Sequence, residues 1–248
     1  MLKVRIIPVL TFNGLSLVKT KTFSQSRIVG NPIQSARVYN SRNVDELIFV
    51  DINATSQKRK INTNLVKRVI DECFMPVTIG GGINTFDDIN DLLRIGADKV
   101  VIKTKAIQDL EFIKSAVKYF GSQCISISVD AYKENDQYFI NNIFNLKLTL
   151  NEFISDMVEC KVGEFVVNSV DNDGMMNGYD KELFNSINKL SSIPTIALGG
   201  AGTPKHFEDL YNSGFNGAMG AASIFHFTQF TPLEVKRHLW ENKVPIRL

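Results

Sequence analysis

The chain has 248 residues, of which 44% are hydrophobic and 22% charged, and its net charge is +2. These values are ordinary for a globular enzyme, and the charges are spread along the chain in a way that gives no indication of nucleic-acid binding. No apolar run reaches the roughly 18 residues of a membrane span, and the N-terminus lacks a signal-peptide pattern. We therefore expect a cytoplasmic protein without membrane or nucleic-acid partners.

Cysteine and histidine are sparse. Cys73, Cys124 and Cys160 form no CxxC pair, which is typical of reduced thiols in a cytosolic protein. The three histidines lack metal-ligand spacing. We predict neither a metal site nor a cofactor.

Eight apolar, strand-like runs alternate with amphipathic segments. Leu65, Val66, Val69 and Ile70, for example, fall on one helical face. Eight such units in about 250 residues predict an α/β fold, a (β/α)8 TIM barrel occupying residues 1–248 as a single domain. The predicted strands are residues 5–10, 46–51, 76–79, 99–102, 125–129, 164–168, 195–198 and 217–219.

A polar stretch, residues 20–32, follows the first predicted strand. Loops after strands form the catalytic face of such barrels. The stretch therefore predicts a long loop, either a lid that closes over a substrate or a plain surface loop.

The chain repeats itself at a spacing of about 118–119 residues. Residues 75–83, which contain Gly80-Gly81-Gly82, are echoed by residues 193–201, which contain Gly199-Gly200-Ala201. This repeat predicts two half-barrels related by a two-fold axis. Such a scaffold suits a substrate with an anionic group at each end.

The glycine turns are candidate phosphate sites, because glycine lets backbone amides approach an anion and a following helix adds its positive end. A plain glycine turn is the alternative, and the presence of two equivalent copies favours phosphate. The first predicted site comprises Gly81, Gly82 and Thr104. The second, shaped by Asp173 and Gly174, comprises Gly200, Ala222 and Ser223.

Polar residues follow several predicted strands. Thr11 and Asp130 are equivalent under the repeat, so we expect them to face each other across the barrel mouth. Asp130 follows an apolar run, and a carboxylate there suits either general acid–base catalysis or a structural cap. Both interpretations of Asp130 remain open.

Four charged residues lie near the N-terminal ends of predicted strands: Arg5, Glu46, Lys99 and Glu164. Unpaired charges at the bottom of a barrel would be costly. We therefore predict a ring of ion pairs there, either a stabilising plug or a gate for a small molecule.

Over essentially its whole length the sequence resembles the HisF family, the cyclase subunits of imidazole glycerol phosphate synthase. The matching segments include Asp45-Glu46-Leu47, Asp51-Ile52-Asn53-Ala54-Thr55, Thr78-Ile79-Gly80-Gly81-Gly82-Ile83, Asp171-Asn172-Asp173-Gly174, Gly199-Gly200-Ala201-Gly202 and Ala221-Ala222-Ser223-Ile224-Phe225-His226-Phe227.

The resemblance implies a heterodimer with a glutaminase of the HisH type. In the family, ammonia from the glutaminase crosses the barrel past four charged residues, at the positions of Arg5, Glu46, Lys99 and Glu164 here. It then reacts with a bis-phosphorylated formimino ribulosyl substrate. The products are imidazole glycerol phosphate and aminoimidazole carboxamide ribotide.

The resemblance also assigns site residues. Asp130 matches one of two catalytic carboxylates, and Lys19 matches a lysine that contacts substrate. The other catalytic carboxylate is replaced by Thr11, which cannot exchange a proton near neutral pH. Lys103, which we include in the first phosphate site, stands where the family has asparagine. Residues 141–150 also lack a glycine-bearing turn common in the family.

These departures resemble second, non-housekeeping copies of the family, thought to supply ammonia for amidination of an acetamido sugar in surface-polysaccharide biosynthesis. Histidine cyclase and sugar amidination therefore remain rival functions. A non-catalytic scaffold that activates a glutaminase and an isomerase of another bis-phosphorylated ribotide are further alternatives. The glycine turns argue against the scaffold, and the four charges argue against the isomerase.

Overall fold

The computed structural model describes residues 3–23, 26–42 and 44–248. Within these residues, eight parallel strands form a continuous sheet, and the pairing of the last with the first closes it into a barrel. Helices connect successive strands and cover the outside. The predicted (β/α)8 fold is confirmed.

The barrel strands are β1 (Ile6–Phe12), β4 (Leu47–Asp51), β5 (Val77–Gly80), β6 (Lys99–Ile102), β7 (Ile125–Glu134), β9 (Glu164–Ser169), β10 (Thr195–Leu198) and β11 (Ala218–Ala221). Three antiparallel strands are appended to them, β2 (Leu17–Lys19), β3 (Arg27–Gly30) and β8 (Gln137–Ile140). The helices are α1 (Pro32–Ser41), α2 (Thr63–Ile70), α3 (Phe86–Arg94), α4 (Thr104–Gln108), α5 (Leu110–Phe120), α6 (Leu150–Glu159), α7 (Lys181–Leu190), α8 (Pro204–Asn212), α9 (Ser223–Phe227) and α10 (Pro232–Glu241), with a short 3-10 turn at Ser122–Cys124.

Side-chain alternation along the strands divides the interior into two regions. On β7, Ile125, Ile127 and Val129 belong to the main core between sheet and helices, whereas Ser128 and Asp130 face the barrel axis. A separate apolar cluster fills the middle of the axis: Ile7, Val9, Ile48, Val101, Val166, Ile196 and Ala218.

Several helices begin at a side chain that satisfies the first free amides. In α3, the Thr85 hydroxyl accepts a hydrogen bond from the Asp88 amide at 3.1 Å, and the Asp88 carboxylate accepts one from the Thr85 amide at 2.9 Å. This reciprocal capping box recurs at α6 and α10. The helices then bury one apolar stripe against the sheet, as Val66 and Val69 do in α2.

The prediction of a loop over residues 20–32 is wrong for its second half. Arg27–Gly30 forms β3, which pairs antiparallel with β2, and α1 begins at Pro32. The polar composition of the segment concealed this hairpin, because β3 lies at the sheet edge and is largely exposed. Ser24 and Gln25 lie outside the described residues.

β7 continues five residues beyond the predicted strand end at Val129, because β8 folds back on it. The hairpin turn is Asn135-Asp136, with φ values of +48° and +61°, and this pair suits a two-residue turn of the primed type. In residues 141–150, the Asn142 side chain bonds the backbone of Ile140, Phe144 and Leu146. These bonds hold a turn in residues 141–150, a segment that contains no glycine.

We expect Gly200 to tolerate a methyl group much less well than Gly214. The two glycines share a left-handed backbone, with φ of +99° and +101°, but an added Cβ meets the Gly178 carbonyl oxygen only at Gly200 and finds open space at Gly214. Gly214→Ala should cost about 1–2 kcal/mol for the backbone alone. Gly200→Ala should cost about 1–3 kcal/mol more, measured by urea unfolding. Equal losses would show that the close approach at Gly200 is easily relieved.

Candidate functional site

A cavity of about 470 Å³ opens at the C-terminal ends of the barrel strands. Cavities of this size hold small molecules. Its wall contains every residue that the sequence analysis assigned to catalysis or to phosphate binding: Thr11, Lys19, Gly81, Gly82, Lys103, Thr104, Asp130, Asp173, Gly174, Gly200, Ala222 and Ser223.

Asp130 faces this cavity as half of an ion pair. Lys103 Nζ donates to Asp130 Oδ2, and the Ser128 hydroxyl donates to Oδ1 at 3.3 Å. The same ammonium lies 5.7 Å from the centroid of the Phe23 ring, within cation–π range. Both carboxylate oxygens of Asp130 are therefore engaged, and movement of Lys103 would free Oδ2 for a substrate proton.

Thr11 lies in the same wall, but its hydroxyl is occupied. It donates a hydrogen bond to the Val18 carbonyl oxygen, across the turn that joins β1 to β2. This bond holds the start of the hairpin. The proton of Thr11 is consequently directed at the backbone and away from the cavity.

Lys19 is held by a buried carboxylate. Its ammonium lies 2.7 Å from Asp173 Oδ1, with side chains only 7% and 9% exposed, and the Thr20 hydroxyl donates to Asp173 Oδ2 at 3.3 Å. Burying two charges is costly unless the pair is well aligned and hydrogen-bonded. The contact ties the hairpin to the loop after β9 and fixes the lysine head group in the cavity wall.

The two predicted phosphate turns have related backbones. Gly81 and Gly82 have φ values of +110° and +69°, and Gly199 and Gly200 have φ values of +95° and +99°. The short helices α4 and α9 begin at Thr104 and at Ser223. Both turns line the cavity, together with Thr104 and Ser223 at the starts of these helices; phosphate binding there stays a prediction.

The four charged residues at the other end of the barrel form a closed ring. Arg5 pairs with Glu46, and with Glu164 at 2.8 Å, while Lys99 pairs with Glu46 at 3.3 Å and Glu164 at 2.8 Å. Burial lowers the pKa of the Arg5 guanidinium, but the two carboxylates outweigh this effect and raise it above its usual value. Two positive and two negative charges thus balance across the narrow end.

Comparisons with known proteins agree with this architecture. A family described as "Histidine biosynthesis protein" matches residues 5–231. The chain is 39% identical to "Imidazole glycerol phosphate synthase subunit HisF" of Clostridium beijerinckii, with 98% of each chain covered. It is 37% identical to the HisF subunit of Streptococcus mutans and 38% to that of Natranaerobius thermophilus, with full coverage of both chains in each case.

The chain belongs to the HisF family.

In this HisF-family cavity, the sequence analysis included Asp51 but missed the side chain that it binds. The Arg59 guanidinium binds both Asp51 oxygens, at 2.6 and 2.9 Å, and the amides of Asn53 and Ala54 donate to Oδ1 at 3.1 Å each. Asp51 is thereby assigned a structural role. Arg59 lies in a coil without periodicity, so no sequence pattern predicted its contact with Asp51.

Asn168 is a second residue that the sequence analysis missed. Its Oδ1 is buried and has no hydrogen-bond partner within the described residues, and it stands in register with Asp130 on the neighbouring strand. Buried polar atoms in proteins are nearly always hydrogen-bonded, so this oxygen is an acceptor suited to a substrate N–H or O–H. The alternation of Glu164, Val166 and Asn168 on one strand face was the available signal.

The described part of the chain has neither a membrane-spanning helix nor a cluster of metal ligands. No helix there has the length and apolar character needed to cross a bilayer. No cluster of three or more His, Cys, Asp or Glu side chains there has an arrangement that could hold a metal ion.

His226 makes the free energy of unfolding depend on pH. Burial lowers the pKa of its imidazole, and the positive charge of Lys19 lowers it further. As pH falls below about 6.5, the unfolded chain therefore takes up the proton before the folded chain does, and stability decreases by up to about 1.4 kcal/mol per pH unit. His226→Gln should remove this component between pH 7.5 and 5 in urea unfolding. Parallel curves for both proteins would contradict the assignment.

Proposed function

We propose that the chain is the ammonia-using synthase subunit of a glutamine amidotransferase pair of the imidazole glycerol phosphate synthase type. A separate glutaminase of the HisH type would deliver ammonia at the base of the barrel. The reaction would take place in the cavity at the mouth. The observation that carries the proposal is that one barrel axis has a closed ring of four charges at its base and Asp130 at its mouth.

The cavity supports a substrate with two phosphates. In this proposal the turn at Gly81 and Gly82, with Lys103 and Thr104, binds one phosphate. Backbone amides and an ammonium suit that anion. The second phosphate binds at the equivalent turn, formed by Gly174, Gly200, Ala222 and Ser223.

Asp130 is the proposed general acid–base group. Because Lys103 covers Oδ2, an arriving phosphate that attracts the ammonium would expose the carboxylate to the reacting centre. Lys19, oriented by Asp173, would contact the substrate on the opposite side of the mouth. Asn168 Oδ1 would accept a hydrogen bond from the substrate.

Two reactions are compatible with this site. One is formation of imidazole glycerol phosphate and aminoimidazole carboxamide ribotide from the formimino ribulosyl substrate. The other is ammonia-dependent amidination of an acetamido sugar, with the cyclase activity lost. Thr11 favours the second, because it replaces the strand-1 carboxylate of the family and its hydroxyl donates to the Val18 carbonyl oxygen.

Activity measurements separate the two reactions. With ammonium supplied directly, we expect weak or absent cyclase activity, partly restored by Thr11→Asp, and Asp130→Asn should lower any ammonia-dependent turnover by about 10²–10⁴. Asp136→Asn at the exposed β7–β8 turn is the matched control. Full growth of a histidine auxotroph lacking its own cyclase, on this chain alone, would show that Thr11 is tolerated and that the chain is an ordinary histidine enzyme.

The proposed partner docks on the face that carries the ring of charges. Phe74, which is 91% exposed beside Met75-Pro76 at the start of β5, lies on this face. We expect a stable heterodimer with the HisH-type glutaminase and faster glutamine hydrolysis in it. Phe74→Glu should weaken the complex, and Leu15→Glu, at a 76% exposed residue of the mouth, should not. Absence of any complex, or equal effects of both variants, would contradict this docking face.

A further inference from the structure

A single serine on β7 stands between the ring of charges and the cavity. Ser126 is fully buried, and its hydroxyl oxygen has no hydrogen-bond partner within the described residues. Leaving a buried hydroxyl unbonded costs about 1–3 kcal/mol, and valine or alanine would fill this position without that cost. The Ser126 hydroxyl is therefore available to hydrogen-bond a ligand.

The position of Ser126 identifies the face that it serves. Its neighbours Ile125 and Ile127 point into the core beneath the helices, so Ser126 points to the barrel axis with Ser128 and Asp130. Ser126 is in register with Glu164 of the charged ring on one side and with Val101 on the other. It is thus the first polar side chain above the ring on this strand.

The spacing along β7 suits a small molecule with several hydrogen bonds. Ser126, Ser128 and Asp130 occupy alternate positions, about 6.6 Å apart along the strand. Two hydrogen bonds of about 3 Å in series span that distance. Ser128 already donates to Asp130, so its oxygen keeps lone pairs that can accept a hydrogen bond from another donor.

The surroundings select for an uncharged molecule. The axis at this level is lined by Ile7, Ile48, Val101 and Val166, with the buried side chain of Thr78 as a second hydroxyl. An ion would lose its hydration there without a compensating charge. Ammonia is neutral, small and able both to donate and to accept hydrogen bonds. An ammonium ion carries a charge that this apolar axis does not solvate, and a phosphorylated metabolite is both charged and much larger.

We propose that Ser126 is an ammonia-binding station, which holds one ammonia molecule above the ring and passes it along Ser128 to Asp130. This inference rests on the proposed function, because it assumes that ammonia enters through the base. In this proposal the side chains of Ser126, Ser128 and Asp130 on β7 form a polar path from the base of the barrel to its mouth. Ser126 is a positioning residue and takes no part in bond formation.

The test uses the complex with the glutaminase and the formimino ribulosyl substrate, or the amidination acceptor if the chain proves to use that one. Glutamine consumed per product formed reports ammonia transfer, and turnover with external ammonium chloride reports the chemistry at the mouth. Ser126→Thr and Ser126→Val form a matched pair of nearly equal volume that differ in the hydroxyl. Ser126→Ala removes the hydroxyl without adding bulk, and Ile127→Val on the same strand controls for loss of packing.

We expect Ser126→Ala and Ser126→Val to raise glutamine consumption per product about threefold to tenfold, the equivalent of one lost hydrogen bond. Ammonium-driven turnover should stay within twofold of the parent, and Ser126→Thr and Ile127→Val should couple normally. Unchanged coupling in Ser126→Ala and Ser126→Val would overturn the assignment, as would equal losses in the Thr and Val variants. Absence of both activities in the parent complex would instead refute the proposed function itself.

Discussion

Closure of the sheet is the constraint on which the rest of the structure depends. β11 pairs with β1 through Ile6, Ile7 and Pro8, so no barrel strand keeps a free edge and every inward side chain shares one axis. Residues far apart in sequence are thereby forced to meet. Ring members from four strands come together at one end, and the polar residues that follow the strands come together at the other.

A closed axis leaves little room for uncompensated charge. The carboxylates that line the cavity are each paired with a cation: Asp130 with Lys103, Asp173 with Lys19 and Asp51 with Arg59. The middle of the axis, by contrast, is apolar apart from hydroxyl groups. This gradient, with charge at both ends and none between, suits passage of a neutral molecule from base to mouth.

The two-fold repeat accounts for the symmetry of the cavity wall, and one pair of equivalent positions departs from it. Gly81 and Gly200 have matching left-handed backbones, and an added Cβ would meet a carbonyl oxygen at both. Thr11 and Asp130, which the repeat places opposite each other, differ completely. One bonds the hairpin backbone and the other holds a lysine.

The sequence by itself determined the architecture and placed Thr11, Lys19, Asp130 and the glycine turns in the cavity wall. Alternating apolar runs and amphipathic segments encode strand and helix through local periodicity, and the end of each strand marks the mouth, so the position of Asp130 or Gly200 follows without coordinates. Only the tertiary structure decided which side chains engage one another. Three features depend on how segments approach one another in space: the Lys103–Asp130 pair, the contact of Arg59 with Asp51, and the Ser126 hydroxyl, which has no partner among the described residues. The β2–β3 hairpin likewise depends on pairing at a sheet edge. None of these four features is encoded in the periodicity of a single segment.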